Sequence, residues 1–348
     1  MLEPIRKSPM PSFSEPVFPV SYSTICEQAL LERLLPQYAI PHPIDCTFLR
    51  QGLNDTYLVK TVDGPSYILR IYRQGWRTLS DISYEVDALL HLVRNGAPAS
   101  APLAGADAQV IRVLPAPEGH RYAVLFTHAA GRDLLFDKHD AFHLGRALAM
   151  LHTAAHQLDS PHPRSALDWG HLIDTPLRDL EPMLARRRED WDFLQALAGR
   201  LRQELIALNP SDKGFCHGDA HELNAAISGD TVTWFDLDCC GSGWRAYDLA
   251  TFWWSARWQD KEEQVWDTFL SGYQDMRILS DADLRAVPLF VGIRNVWLMG
   301  LHAGEAGRRG YGTIKDGYLD RHLTFLRNCE KDYLKGAASS EEPPPYKP

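Results

Sequence analysis

The stretch that decides the fold is HGDAHELN at residues 217–224, followed twelve residues later by DLD at residues 236–238. Between them, TVTWF at residues 231–235 is rich in β-branched and aromatic residues, which favour a β-strand. Asp236 is therefore expected to emerge at the end of a strand, a short distance along the chain from a polar loop.

Asp219, Asn224 and Asp236 are residue types that phosphoryl transfer requires. An Asp, an Asn five positions later and an Asp at a strand end match the spacing of a kinase catalytic loop and its metal-binding aspartate. The Asp219 carboxylate would accept the proton of the attacking hydroxyl. The oxygens of Asn224 and Asp236 would hold Mg²⁺ against the phosphates, because hard oxygen ligands suit that ion. We therefore predict ATP and Mg²⁺ as cofactors.

Three other interpretations of the same loop stay open. His217, Asp219 and His221 could be ligands of a metallohydrolase, since H-x-D-x-H clusters bind zinc or paired metals. That interpretation needs further histidines downstream, and the next one is His302. The loop could also simply form turns and caps, or belong to a non-catalytic nucleotide-binding module.

The composition limits the class of protein and its partners. The length of 348 residues suits two lobes, and the hydrophobic content of 45% with 23% charged residues is ordinary for a globular protein. Six cysteines without C-x-x-C pairing indicate reduced thiols in the cytoplasm.

The net charge of −9 argues against a nucleic-acid partner and mildly favours a cationic substrate. We find no apolar run long enough to cross a bilayer and no secretory signal, so no membrane partner is expected.

The order of predicted elements indicates two lobes. Residues 1–21 are expected to form an extended arm, and residues 22–128 a β-rich N-lobe that binds the nucleotide. Residues 129–335, beginning with the connector Ala129 to Gly131, should form a mainly helical C-lobe with the catalytic loop and substrate site, and residues 336–348 a disordered tail. Strands are predicted at 46–50, 56–61, 66–72, 109–114 and 121–127, and helices at 24–35, 80–94, 139–157, 176–186, 190–207, 245–257, 261–275, 281–306 and 313–334.

This arrangement predicts the fold class. It is α+β, a bilobal protein-kinase-like fold with a small antiparallel β N-lobe and a larger, mainly helical C-lobe, with ATP bound between the lobes. The helix at 24–35 is expected to start from a capping box of Thr24 and Glu27.

Nucleotide binding requires a cation on the third strand, oriented by a glutamate on the following helix. Arg70 in YILRIY and Glu85 meet these conditions, and Lys60 on the preceding strand is a weaker alternative cation. Arg70 and Glu85 could instead form an ion pair that only stabilises the lobe. Asn54, in the Gly52-Leu53-Asn54 turn between two strands, is a further cofactor-binding candidate, because such a turn can present backbone N–H groups to a phosphate.

The remaining polar residues near the loop are predicted to support it. Asp248 lies at the start of the helix that follows the metal aspartate. Its charge can interact favourably with the helix dipole, and its side chain can hydrogen-bond to the catalytic loop. His217, His221 and Asp238 are also assigned to loop support. Five tryptophans make the C-lobe tryptophan-rich, and their rings either fill a core or cage a substrate ammonium group: Trp253, Trp254, Trp258, Trp266 and Trp297.

With these parts placed, the chain resembles the aminoglycoside phosphotransferase and choline kinase superfamily. The HGDxHxxN loop, the strand-end D-x-D, YILRIYR, YAVLFTHAAGRDL and YDLA carry the resemblance, which spans residues 22–335. Bacterial stress-response kinase A and the type II homoserine kinases look most similar. The resemblance implies an ATP-dependent kinase with Asp219 as base, Asn224 and Asp236 as Mg²⁺ ligands, and Arg70 and Glu85 as the phosphate-binding pair.

The resemblance does not decide the acceptor. We expect a hydroxyl of a small, amine-bearing molecule such as an aminoglycoside, an amino alcohol or a homoserine-like compound, with a protein Ser/Thr acceptor as the alternative. Two departures from the family pattern stand out. Glu222-Leu223 replaces the frequent Pro-Gly before the metal Asn, and Arg70 replaces the commoner Lys.

Overall fold

The computed structural model describes residues 18–309, 314 and 317–334. It divides into two compact units: Met1–Thr78 with Leu103–Phe126, and Leu79–Pro102 with Thr127–Pro348. The predicted lobe boundary after residue 128 lies two residues from the observed division after Phe126. Residues 79–102, which we assigned to the N-lobe, group with the second unit instead. The tail at 336–348 and residues 1–17 of the predicted arm lie outside the described residues.

The first unit contains a twisted antiparallel sheet. Its strand order is β1-β2-β3-β6-β4, with β5 paired to β6. In β2 every second side chain is buried, beginning with Asp55, so one face of the strand packs in the core. The strands are β1 Pro43–Gln51, β2 Asp55–Thr61, β3 Tyr67–Ile71, β4 Pro102–Leu103 at the unit boundary, β5 Arg112–Ala116 and β6 Gly119–Thr127.

The helix predicted at 24–35 takes a different form. Helix α1 covers only Glu27–Ala29 and continues as a π-helix, Leu30–Leu34, and a 3₁₀ turn, Leu35–Gln37. The capping box at Thr24 was wrong, because Cys26 occupies the N-cap position and makes no side-chain hydrogen bond there. The wider π turn accompanies burial of Leu30, Leu34 and Leu35 in the core of this unit.

The second unit is mainly helical and contains two small sheets. Strands β9 and β10 form a hairpin whose β9 also pairs with β7, and β8 pairs with β11. The strands are β7 Arg132–Asp133, β8 Lys213–Cys216, β9 Ala225–Ser228, β10 Thr231–Trp234 and β11 Gly241–Trp244. The helices are α2 Leu79–Arg94, α3 Lys138–Ala154, α4 Thr175–Leu184, α5 Arg188–Leu208, α6 Arg245–Trp258, α7 Glu262–Gln274, α8 Asp281–Arg309 and α9 Tyr318–Cys329.

Helix α8 is the central helix of this unit and packs against α4, α5, α6 and α9. Within its segment Asp281–Gly307 an 18-residue window has a mean hydropathy of 1.3, which is apolar enough to cross a membrane, so our statement that no such run exists was wrong. The apolar window of that segment is 72% buried inside the protein, which is the environment of a core helix.

Candidate active site

Two antiparallel strand pairs hold the catalytic loop. Strand β8 enters the loop and pairs with β11, so that Cys216, next to His217, lies opposite Gly241. The loop ends in a 3₁₀ turn at Glu222–Asn224 and continues directly into the β9–β10 hairpin. Both ends of residues 217–224 are therefore fixed by backbone hydrogen bonds.

Asn224 and Asp236 lie at the open end of this hairpin. Ala225 pairs with Trp234, and the Phe235 N–H donates to the Asn224 carbonyl at 2.9 Å. Asp236 follows in the left-handed region, with φ 62° and ψ 53°, where the chain leaves the strand and turns into Leu237–Cys239. The structure thus brings these two predicted metal ligands to neighbouring positions.

The side chain of Asn224 has the orientation that a metal ligand needs. Its Nδ2 donates to the Asp219 carbonyl at 2.9 Å and to the Asp219 carboxylate at 2.9 Å, and faces His221 Nε2 at 3.3 Å. Within the described part of the chain, its Oδ1 has no hydrogen-bond partner. Together with the Asp236 carboxylate, this oxygen gives the hard donor set that Mg²⁺ prefers, so the residues present fit that ion.

Asp219 is surrounded by positive charge. Arg294 Nη2 donates to its Oδ1, and His221 Nε2 lies 3.4 Å from the same oxygen. Burial on its own raises the pKa of the Asp219 carboxyl, but the charge of Arg294 and the hydrogen bond from His221 outweigh it and hold the pKa well below its ordinary value. Asp219 is therefore ionised at neutral pH and can accept a hydrogen bond from a hydroxyl.

Arg294, on helix α8, is a functional candidate that sequence reasoning missed. Its side chain is buried, and its guanidinium carbon lies 4.6 Å from the ring centre of Trp297 and 5.5 Å from that of Trp254. Its Nε and Nη1 have no hydrogen-bond partner among the described residues. Two of the rings considered for a substrate ammonium group thus contact a cation of the chain itself. No local motif marks Arg294, which lies 75 residues from its partner.

The backbone of the catalytic loop is bonded to Asp248. This fully buried carboxylate accepts from the N–H groups of His217 at 2.6 Å and Gly218 at 2.9 Å. Its Oδ2 also lies 3.0 Å from His152 Nε2, whose other ring nitrogen is 2.9 Å from the Tyr273 hydroxyl. Because a carboxylate only accepts, His152 carries its proton on Nε2 and accepts from Tyr273. Helices α3 and α7 therefore support the loop through a chain of buried hydrogen bonds that the sequence did not reveal.

His217 is placed as a neutral ring inside the loop. Its Nε2 donates to the Phe235 carbonyl at 3.1 Å, and its Nδ1 accepts from the Asp219 N–H at 3.3 Å. Burial lowers the pKa of His217, although the carboxylates of Asp248, Asp219 and Asp236 oppose that effect. Both ring nitrogens of His217 take part in hydrogen bonds within the chain and do not point at a metal. His217 therefore does not support the metallohydrolase interpretation.

His221 and Asp238 also lie within this region. His221 Nδ1 accepts from the Leu223 N–H at 3.2 Å, which leaves its Nε2 facing Asp219. Although burial opposes it, the Asp219 charge raises the pKa of His221. Asp238 is buried in the turn after Asp236, and its carbonyl accepts a hydrogen bond from Arg164.

The unusual Glu222-Leu223 pair is accommodated without loss of the turn. Glu222 is buried, and its Oε1 accepts from Ser255 Oγ at 3.0 Å, whereas its Oε2 has no partner among the described residues. Leu223 turns outward and is 59% exposed. A bulky residue at this position is therefore compatible with the turn.

The predicted nucleotide ligands are distributed over both units. Arg70 is buried on β3, with its guanidinium carbon 5.0 Å from the ring centre of Phe126. Glu85 is buried on α2, in the second unit. Asn54 follows β1, and its Oδ1 accepts from the Arg73 N–H at 3.3 Å, so its side chain supports the turn itself. The nucleotide-binding roles of these three residues stay predictions.

Sequence comparison identifies the class of protein. Residues 45–285 match the phosphotransferase enzyme family, APH, and the chain belongs to that family. It is a phosphotransferase with the α+β, bilobal kinase-like fold of that family, as predicted.

Individual relatives give more detail. A protein of Deinococcus radiodurans, described as uncharacterized, is 40% identical over 94% of this chain and 97% of its own length. The homoserine kinase of Rhodospirillum rubrum is 28% identical over 74% of this chain and 80% of its own. The structure of the amicoumacin kinase hAmiN with AMP-PNP, Ca²⁺ and its substrate has a TM-score of 0.72 at 22% identity, covering 89% of this chain and 93% of that one.

Proposed function

We propose that this protein is a cytoplasmic kinase that transfers the γ-phosphate of ATP, with Mg²⁺, to a hydroxyl of a small, amine-bearing molecule. The observation that carries the proposal is the arrangement of Asp219, Asn224 and Asp236 on one loop and one hairpin. Asn224 Nδ2 bonds the Asp219 carboxylate while its Oδ1 stays available, so the base and a metal ligand are held side by side. Arg70, Glu85 and Asn54 are the proposed nucleotide ligands.

In this reaction Asp219 would orient the acceptor hydroxyl and accept its proton. The low pKa of Asp219 makes it a weak base, which suits a loose transition state in which the proton moves late and positioning dominates. Arg294 and His221 would hold the carboxylate in place. When bound, Mg²⁺ would neutralise charge that develops on the transferred phosphoryl group. Asp248 would keep the loop backbone in position through His217 and Gly218.

Two observations support an amine-bearing acceptor. The relatives whose names state a substrate act on homoserine and on amicoumacin. The net charge of −9 favours the approach of a cation.

The test is a panel of acceptors assayed by ADP release with Mg·ATP. The panel contains amino alcohols, homoserine, aminoglycosides, neutral sugars and a generic protein acceptor, with Asp219→Asn as the background control. We expect at least one small amine-bearing alcohol to raise ADP release above that background. Release that is stimulated only by the protein would favour the protein Ser/Thr kinase alternative. The absence of any binding or stabilisation by Mg·ATP would contradict the kinase assignment.

A further inference from the structure

Two histidines and an aspartate converge on the surface of the second unit, outside the catalytic loop. His139 and His143 lie one turn apart on α3, and Asp230 lies in the turn between β9 and β10. The Asp230 Oδ1 is 3.1 Å from His139 Nε2 and 3.5 Å from His143 Nε2. All three ligand atoms lie within 4.8 Å of one another.

The other nitrogen of His139 is already committed. His139 Nδ1 lies 3.0 Å from the Oδ1 of Asp140, a buried carboxylate that also accepts from Arg132 and from the Leu135 N–H. Because carboxylates only accept, Nδ1 must carry a proton, and Nε2 faces a second carboxylate. Either a second proton or a cation must therefore lie between His139 Nε2 and Asp230. In a metal-bound histidine, the ring nitrogen that does not bind the metal commonly donates a hydrogen bond to a carboxylate, as His139 Nδ1 does to Asp140.

The spacing of the ligand atoms matches a tetrahedral transition ion. With metal–ligand bonds of about 2.0–2.1 Å, the edge of a coordination tetrahedron is about 3.3 Å. The observed separations of 3.1 and 3.5 Å fall on either side of that value. Two imidazoles and one carboxylate favour zinc or a similar ion over Mg²⁺ or Ca²⁺.

We propose that His139, His143 and Asp230 form a binding site for zinc or a similar divalent transition ion, separate from the predicted Mg²⁺ ligands. The ion would join α3 to the tip of the β9–β10 hairpin. That hairpin carries Asn224 before β9 and Asp236 after β10. The ion would therefore stabilise the element that positions both predicted Mg²⁺ ligands, without supplying a group to the reaction itself.

The test uses the full chain after treatment with EDTA and dialysis. Co²⁺ is titrated and followed by its visible d–d absorption, and Zn²⁺ is then used to displace it. We expect one equivalent of Co²⁺ per chain, displaced by Zn²⁺, and a rise of the melting temperature on Zn²⁺ addition. His143→Asn should weaken binding at least about tenfold and remove that rise. The control is His42→Asn, which changes an exposed histidine of the first unit and should bind as the wild type does.

Two results would overturn the proposal. One is the absence of Co²⁺ and Zn²⁺ binding, which would leave a protonated His139 paired with Asp140 and Asp230 as the whole interaction. The other is equal affinity in wild type, His143→Asn and Asp230→Asn, which would place the ion elsewhere. Neither result bears on phosphoryl transfer, so this proposal and the proposed function fail independently.

Discussion

Asp219, which is partly exposed, and the buried Arg294 form an ion pair that sets the charge of the proposed base. Arg294 has few alternative positions, because Trp254 and Trp297 flank its guanidinium group. Removing one partner of such a pair leaves an uncompensated buried charge, which proteins resolve by shifting the pKa of the remaining group. The state of Asp219 therefore depends on a residue from a distant helix.

Arg294→Met should make kcat/KM fall towards the acid end of the range from pH 5 to 9, whereas protonation of Asp219 should not lower the wild-type profile in that range. In the wild type the Asp219 pKa lies below its ordinary value of about 3.9. The ionised Asp219 carboxylate therefore stabilises the folded protein at pH values above the ordinary pKa. This stabilisation is lost only as the pH falls through the lower pKa that Asp219 has in the folded protein. Without Arg294, burial raises the pKa, and Asp219 becomes protonated at a higher pH.

The measurement is kcat/KM from pH 5 to 9 with the acceptor that the panel identifies. Arg178→Met is the matched control, because Arg178 is exposed and pairs only with the neighbouring Asp179 among the described residues. Coincident profiles for wild type and Arg294→Met would show that Arg294 does not control the charge of Asp219.

Residues with a local signal were easier to predict than residues with a distant partner. Asp219, Asn224 and Asp236 were predicted from spacing within one short segment. Arg294 and His152 reach the loop from α8 and α3, and only three-dimensional packing shows that they do. Single arginines and histidines on helices have many structural roles, so no sequence feature distinguishes these two.

At the level of elements, the catalytic loop is fitted closely against the turn that follows Asp236. Gly218 has φ +81°, and a Cβ at this position would lie 2.1 Å from the Cys239 carbonyl oxygen. Its N–H donates to Asp248 at 2.9 Å. Only glycine combines this backbone conformation with this close approach.

Gly218→Ala should lower the free energy of unfolding by about 1–3 kcal/mol and reduce turnover, because the loop must shift away from Cys239. Urea unfolding and kcat measure the two effects. Gly199→Ala is the control, since nothing lies within 4 Å of its Cβ position in the interior of α5, and it should be neutral or stabilising by up to about 1 kcal/mol. An unchanged stability and turnover in Gly218→Ala would contradict the described loop geometry.

Periodicity and turn residues predicted most elements well, with one instructive exception. The helix predicted at 190–207 forms at Arg188–Leu208, and the strand predicted at 56–61 forms at Asp55–Thr61. The helix at 24–35 was wrong in form, because burial of its leucines produced a π turn that no local pattern indicates.

At the scale of the whole molecule, the family fold was predictable because its motifs occur in a fixed order along the chain. The grouping of α2 with the second unit was not, since it depends on packing of residues 79–102 rather than on composition. The acceptor is also not encoded in these motifs. The motifs serve nucleotide chemistry and do not specify the side chains that contact the acceptor.

The central claim is that Asp219 is the base of a phosphotransferase. The most direct test is the turnover of Asp219→Asn beside its affinity for Mg·ATP, with the acceptor that the panel identifies. The asparagine keeps the size of the side chain but cannot take the proton, so we predict a loss of turnover of about 10²- to 10⁴-fold with nucleotide affinity within a few-fold of wild type. Turnover within a few-fold of wild type would contradict the account.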